Sequence, residues 1–356
     1  MEMNNILITG GCGFVGSSLA IKFKTNYPKT NIICLDNLKR RGSELNISRL
    51  KEVGIEFFHG DIRNKEDLKA VGQVDIIIEC SAEPSVLAGY NSSPEYLINT
   101  NLLGTINCLE KAREDQAAFI FLSTSRVYPI KTINQLSYVE KETRFELGDN
   151  HSIAGVSENG FGEMLSLLGP RSLYGATKLA SELIIQEYID MYGVKSVINR
   201  CGLLTGPWQF GKVDQGVVVL WVARHYWKQK LSYIGFGGEG KQVRDMLHID
   251  DLYRLLDIQI KKLSEYNGEI FNVGGGLEVS LSLRELTALC EEITGNRIEI
   301  SKEKENRPAD IPFYVTDNSK VSQMTGWIPQ IKPKDIIKDI YSWIVANENI
   351  LKGVLK

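Results

Sequence analysis

The chain has 356 residues, 43% of them hydrophobic and 24% charged, with a formal net charge of -3. That length suits two domains, or one large fold with a lobe, and buries a core without staples. The near-neutral balance lacks the basic footprint of a nucleic-acid binder, and no apolar run reaches the ~18 residues of a membrane helix, so neither partner is expected.

Taken in chain order, apolar runs of strand length alternate with helix-like segments. "NILITGG", "NIICLDN", "IEFFHGDI", "VDIIIECSA", "AFIFLSTS" and "KSVINRCG" read as strands. Between them lie stretches such as "LINTNLLGTINCLEKARE" and "SLYGATKLASELIIQEYIDMYG". Continuous apolar strands separated by amphipathic helices predict an α/β fold, a doubly wound Rossmann-type parallel sheet covered on both faces. This domain is expected over 1–200, with returning segments at about 243–275 ("QVRDMLHIDDL", "EIFNVGGG"). Residues 201–242 and 276–345 are expected to form a smaller, discontinuous α/β substrate-binding lobe, with "VVVLWVARHYW" as one of its core helices. The segment from Lys131 to Arg171 is rich in Gly, Ser, Asn and Glu and reads as a surface loop near a site.

The six cysteines (Cys12, Cys34, Cys80, Cys108, Cys201 and Cys290) stand singly with no Cys-x-x-Cys pair, so reduced, buried thiols are expected and no metal centre. His59, His151, His225 and His248 are spaced for no metal either and read as surface or capping residues. The N-terminus enters a strand pattern at once, without the apolar core of a signal peptide, which makes the cytoplasm the expected location.

The first strand runs into "TGGCGFVG". Gly10, Gly13 and Gly16 are spaced so that the first permits a tight turn, the second lets backbone approach a pyrophosphate and the third packs helix on strand. A plain tight turn would use glycines too. Context favours a dinucleotide: the triplet follows an apolar strand, opens a helix, and precedes Asp36, which ends the next apolar run. A carboxylate there accepts hydrogen bonds from ribose hydroxyls and repels the phosphate of NADP, so NAD is favoured, even with Lys39, Arg40 and Arg41 following. Asp61, after the third strand, is placed either to reach the adenine or to cap its own turn.

"YGATK" sets Tyr174 and Lys178 four apart, on one face of a helix. A phenol with pKa near ~10 is a poor base at neutral pH, and an ammonium one turn away favours the phenolate. The pair can then move a proton to or from a sugar hydroxyl. "FLSTSRVY" ends a strand in the hydroxyls of Ser123, Thr124 and Ser125, which can hold a substrate oxygen.

As a set, "TGGCGFVG", "LDN", "GDIRN", "NTNLLGT", "STSRVY", "YGATK", "GKQVRDMLHIDDL", "FNVGGG" and "GWIP" resemble the extended short-chain dehydrogenase/reductase family, specifically its nucleotide-sugar epimerases and dehydratases, over nearly the whole chain. Within it, "DNLKRRG", "FFHGDIRN", "DQG" and "GKQVRDMLH" are similar to the CDP-tyvelose (CDP-paratose) 2-epimerases. The resemblance implies a catalytic triad of Thr124, Tyr174 and Lys178. It implies Gly10, Gly13, Phe14, Val15, Gly16, Asp36, Asn37, Asp61, Ile62, Ser81, Ala82 and Asn101 around NAD, joined by Tyr174 and Lys178. It implies Ser125, Arg126, Gln215 and Arg244, with the "FGKVDQG" stretch, on a nucleotide-diphosphate sugar, and a homodimer or homotetramer. The chain departs from the family at "RCGLLTGPWQF" and at Pro129 after Tyr128, which bears on sugar specificity.

The resemblance also frames the reaction. The family's 4,6-dehydratases carry Asp and Glu immediately after the catalytic Thr, whereas Ser125 and Arg126 follow Thr124 here, against dehydration. Two epimerisations remain: inversion at C2 of a CDP-hexose through a 3-keto sugar, or inversion at C4 of a UDP-sugar through a 4-keto sugar. Glu83 and Cys201 stand at strand ends as candidates for acid–base work at C2, although a structural carboxylate and a buried thiol read as well there. A non-catalytic NAD sensor of the same fold is the remaining alternative, and the retained Tyr174 and Lys178 oppose it.

Overall fold

The computed structural model describes residues 4–149, 152–211 and 215–355. His151 and the Lys212, Val213 and Asp214 of "FGKVDQG" lie outside the described residues. The chain forms two compact units, the first made of Met1–Val127, Leu173–Arg200 and Tyr253–Phe271, the second of Tyr128–Ser172, Cys201–Leu252 and Asn272–Lys356.

The first unit is built on a seven-stranded sheet: β1 (Asn5–Thr9), β2 (Asn31–Asp36), β3 (Glu56–His59), β4 (Ile76–Glu79), β5 (Ala118–Thr124), β6 (Ser196–Cys201) and β7 (Ile270–Val273). Their order is β7-β6-β5-β4-β1-β2-β3. β1 pairs parallel with β2 and with β4, so the winding reverses on either side of β1. The pairs β2–β3 and β4–β5 are also parallel. Burial explains the uninterrupted apolar runs: all seven residues of β5 and the last four of β1 are buried, as a sheet covered on both faces requires. The helices α1 (Phe14–Asn26), α2 (Gly104–Asp115) and α3 (Leu173–Tyr192) belong to this unit. Cys108, Leu109 and Ala112 of α2 and Ile185 of α3 join Leu7, Leu35, Ile77, Phe119 and Phe121 in one core. Each such aliphatic or aromatic side chain contributes about 1.5–3 kcal/mol by leaving water.

The second unit has its own sheet, in which strand Val243–His248 runs parallel to Leu203–Thr205 and Phe313–Tyr314 and antiparallel to Ser280–Ser282. This corrects the expectation that "QVRDMLHIDDL" returns to the large sheet; of the two proposed returns, only Ile270–Val273 joins it. Helices Val217–Tyr226, Leu283–Thr294 and Pro333–Ala346 pack on one another here, the first with Val218 to Ala223 all buried. Leu283–Thr294 starts at a Ser282/Glu285 capping box and stops at Gly295.

The segment 131–171 also departs from its reading as a loop. It holds two antiparallel ribbons, Tyr138–Glu140 with Phe145–Leu147 and Val156–Ser157 with Gly160–Phe161. Ile133, Phe161 and Leu165 are buried, and the Phe161 ring meets Phe313 edge-on and Tyr314 at a tilt. A few apolar anchors scattered through a polar segment suffice to fix it, and composition averages them away.

One buried charge pair ties α3 to the large sheet. Glu182 of α3 receives the Arg200 guanidinium of β6 through Nε and Nη2 at 2.7–3.1 Å, and also the Ser123 hydroxyl of β5. Both side chains are almost wholly out of water. Removing one partner strands the other charge, so Glu182→Ala is expected to lower stability by about 3–5 kcal/mol. Urea unfolding followed by circular dichroism measures it; a loss under about 1 kcal/mol would refute the assignment.

Candidate active site

The reversal of strand order at β1 places the turn after it at the carboxyl edge, where parallel α/β sheets bind ligands. Gly10 there takes φ +63°, and a Cβ on it would sit 2.9 Å from the Cys80 and Ser81 backbone. A Cβ on Gly16 would lie 2.2 Å from the Gly10 carbonyl oxygen. Neither position tolerates a side chain, and the backbone is left bare. Helix α1 then begins at Phe14 and Val15 with Gly13 as its N-cap, with no side-chain cap and no acidic residue in its first turn. Helix-start amides without a capping carboxylate are donors for an anion.

Asp36 ends β2 beside this turn. Its Oδ2 accepts the Cys12 N–H (3.0 Å) and its Oδ1 the Leu38 N–H (2.7 Å). Burial raises its pKa, while those amide bonds pull the other way. A carboxylate with one amide on each oxygen still has lone pairs for two ribose hydroxyls.

Asp61 takes the turn-capping option: Oδ1 accepts the Arg63 N–H (3.0 Å), and both oxygens face the Arg63 guanidinium. Asn37 donates to its Oδ2 at 2.8 Å. Burial pushes this carboxyl up, but the bonds from Arg63 and Asn37 outweigh it and hold the pKa down to about 2. Lys39 and Arg63 both lie against the Tyr96 ring, at 4.4 and 4.8 Å, so Lys39 is already engaged. Ile62 is core, its carbonyl receiving Asn107. Ser81 and Ala82 lie half-buried just after β4.

Asn101 is fully buried in a π-helical turn, Asn99–Leu103, that leads into α2. Its side-chain oxygen accepts the Glu83 N–H (2.7 Å) and its amide donates to the Glu83 carbonyl (3.0 Å). It therefore clamps the loop after β4 with the groups expected to face a cofactor. The Glu83 carboxylate accepts the Ser85 N–H within that loop (3.2 Å).

The three triad candidates all fall in the first unit. Thr124 ends β5, nearly buried, and its oxygen accepts the Arg126 N–H (3.2 Å) from the turn Ser125–Val127. Tyr174 and Lys178 occupy successive turns of α3. Lys178 is 2% exposed, and its ammonium lies 4.1 Å from the centre of the Phe121 ring. Glu79, the last residue of β4, is wholly buried with one oxygen bonded to Thr105 at 2.8 Å. Sequence reading passed over Glu79; the available signal was a carboxylate ending an otherwise aliphatic strand, "IIIE".

In the second unit, Arg244 spends three N–H donors on Asp310 (3.0 Å) and on the carbonyls of Val243 and Ile311 (2.7 Å each). Gln215 is half-buried, and Cys201 is buried. His248 caps helix Ile249–Lys261 by accepting the Asp250 N–H (3.2 Å), and His225 is buried against the Trp221 carbonyl rather than at the surface. Among the described residues there is no cluster of His, Cys, Asp and Glu able to hold a metal, and no helix long and apolar enough to cross a membrane.

A family model described as the NAD dependent epimerase/dehydratase family matches residues 6–274. The chain belongs to that family. It is 33% identical over 351 residues to a CDP-paratose 2-epimerase of Salmonella typhi, covering 95% of this chain and 98% of that one. It is 29% identical over 347 residues to a putative UDP-glucose 4-epimerase of Methanocaldococcus jannaschii, covering 96% and 99%. Among solved structures, a double mutant of the dTDP-glucose 4,6-dehydratase of Streptomyces venezuelae with NAD bound superposes with a TM-score of 0.79 at 25% identity over 100% of each chain. The family's cofactor is NAD, and the bare glycine turn, the uncapped start of α1 and the Asp36 carboxylate fit it.

Two outcomes follow. Gly16→Ala forces the Gly10 carbonyl aside and is expected to weaken NAD binding by about tenfold or more, roughly 1.4 kcal/mol, with the fold retained; calorimetric titration reads it, and unchanged affinity refutes it. The depressed Asp61 pKa contributes stability that is whole above the unfolded-state value of 3.8 and is lost as pH falls toward about 2. The stability difference between wild type and Arg63→Ala should therefore be full above pH 4 and shrink toward pH 2 in unfolding titrations.

Proposed function

We propose that the protein inverts C2 of a CDP-hexose of the paratose/tyvelose type through a transient 3-keto sugar. NAD, which the Gly10–Gly16 turn, the start of α1 and Asp36 would hold, would supply the hydride acceptor and donor for this chemistry, with no net consumption. Tyr174 accepts the C3 hydroxyl proton as the C–H pair of electrons leaves, and a C=O bond forms at C3. Lys178, one turn on, favours the phenolate by its charge, and the Thr124 hydroxyl donates to the same sugar oxygen. The ketone acidifies the C2 hydrogen; its removal from one face and replacement from the other inverts the centre. Tyr174 then gives its proton back as C3 is reduced. Glu83 and Cys201 remain the candidates for the C2 proton.

The observation that carries this reading is whole-chain similarity to a CDP-paratose 2-epimerase combined with the turn after Thr124, where Ser125 and Arg126 stand and dehydration would need an acid and a base. The likeness to a putative UDP-glucose 4-epimerase supports the second reading, inversion at C4, which needs no second proton carrier. Arg244 retains its Nε–H and one Nη1–H, of its five donors, for a phosphate of the nucleotide sugar, with Gln215 as a further contact. Exposed Leu183, Met191 and Tyr192 on α3 support association as a homodimer or homotetramer.

The test is turnover of CDP-, GDP- and UDP-hexoses in heavy water. Deuterium at C2 of a CDP-hexose product is expected; product with inverted C4 and no solvent deuterium selects the second reading, and no turnover of any sugar rejects both. Tyr174→Phe should lower kcat by about 10²–10⁴ with NAD still bound. Unchanged turnover would remove the phenolate from the mechanism.

A further inference from the structure

Glu79 lies where an apolar residue would serve the sheet better. It closes β4 with 0% exposure, flanked in register by Thr9 of β1 and Phe121 of β5. In a parallel ladder, register partners project to the same face, so Glu79 shares its face with the ring that carries Lys178. One carboxyl oxygen accepts the Thr105 hydroxyl of α2, which also reaches the Asn101 carbonyl at 2.8 Å. The other oxygen has no hydrogen-bond partner among the described residues, and neither has the neighbouring Thr9 hydroxyl. A buried, half-satisfied carboxyl is costly and not the choice of a core that needs only packing.

We infer that Glu79 is a positioning residue of the reaction, a buried carboxyl that ionises against Lys178 and so sets the pH at which the Tyr174 phenol becomes a base. The electrostatic surroundings support this. Burial raises the carboxyl to about 7, and the charge of Lys178 is the first influence opposing it, ahead of the Thr105 bond. On α2, the buried Cys108 thiol is pushed up by its own burial and feels Glu79 and Lys178 together. Lys111, further along α2, is bound to the Gly72 carbonyl and Asp115. Among the described residues, Lys178 is the charged group whose field opposes the effect of burial on Glu79.

The consequence has a definite sign. While Glu79 is protonated, the ammonium acts on the phenol undiminished. Once it ionises, the carboxylate offsets part of that field and holds the phenol protonated to higher pH. Loss of the Glu79 proton near neutrality thus opposes loss of the Tyr174 proton, with Lys178 as the shared partner.

The inference rests on Tyr174 acting as proposed, and the experiment separates the two. Tyrosinate absorbance is titrated on the NAD-loaded protein; the step present in wild type and absent in Tyr174→Phe belongs to Tyr174, one of fourteen tyrosines. The acid limb of kcat/KM is recorded alongside. Glu79→Gln, neutral at every pH, is expected to move both to lower pH by about one unit. Thr105→Ala removes the bond favouring the carboxylate, keeps Glu79 protonated longer, and should move both the same way by less; it decides the matter if Glu79→Gln does not fold. Glu79→Asp should restore the wild-type position. A step and acid limb that overlay wild type in these variants overturn the role of Glu79 alone. Wild-type turnover by Tyr174→Phe overturns the phenolate reading itself.

Discussion

A lysine ammonium kept almost completely out of water is the constraint on which the rest of the site depends. Stranding such a charge in a protein interior costs several kcal/mol unless neighbours compensate. Lys178 has the ring of Phe121 at 4.1 Å and interacts electrostatically with Glu79. Its helix is pinned by the two-nitrogen contact of Arg200 on Glu182, which itself holds Ser123, the residue before Thr124. The pair that anchors α3, the helix of Tyr174 and Lys178, thus also holds the strand end that carries the Thr124 hydroxyl.

The cofactor end of the site has a different logic, that of vacancy. Gly10 and Gly16 exclude side chains by sterics rather than by recognising anything. The amides at the start of α1 and the Asp36 carboxylate supply opposite partial charges at the two ends of that bare turn, donors for a pyrophosphate and acceptors for a ribose. β1 is flanked by β2 and β4, so the turn lies at the point where the strand order reverses, the place at which parallel α/β sheets bind ligands.

Much of this was legible from residues alone. Strands buried on both faces announce themselves as apolar runs, and β1, β2, β4, β5 and β6 were read from them. "YGATK" and "STS" are short-range patterns, and they lie on a helix and at a strand end as their periodicity predicts. What escaped depends on partners distant in the chain. Nothing local in Val243–His248 marks its sheet, and its pairing with Leu203–Thr205 and Ser280–Ser282 decides which sheet takes it. The segment 131–171 hides Phe161 among polar neighbours. The side chains of Asn101 and Asp61 hold Glu83 and Arg63, and the Asn101 contact, 18 residues apart, is one that no local pattern reveals. Glu79 shows locally as a carboxylate ending the aliphatic run "IIIE", but its electrostatic partner, Lys178, lies on α3, about a hundred residues on.

The most direct trial of the buried lysine is a single-turnover experiment: NAD-loaded protein mixed with the CDP-hexose, reduction of the bound nicotinamide followed by absorbance, in wild type and in Lys178→Met. A transient reduction in wild type that is lost in the variant, with NAD affinity and unfolding midpoint preserved, is the predicted result. Reduction at the wild-type rate without the ammonium would contradict the account.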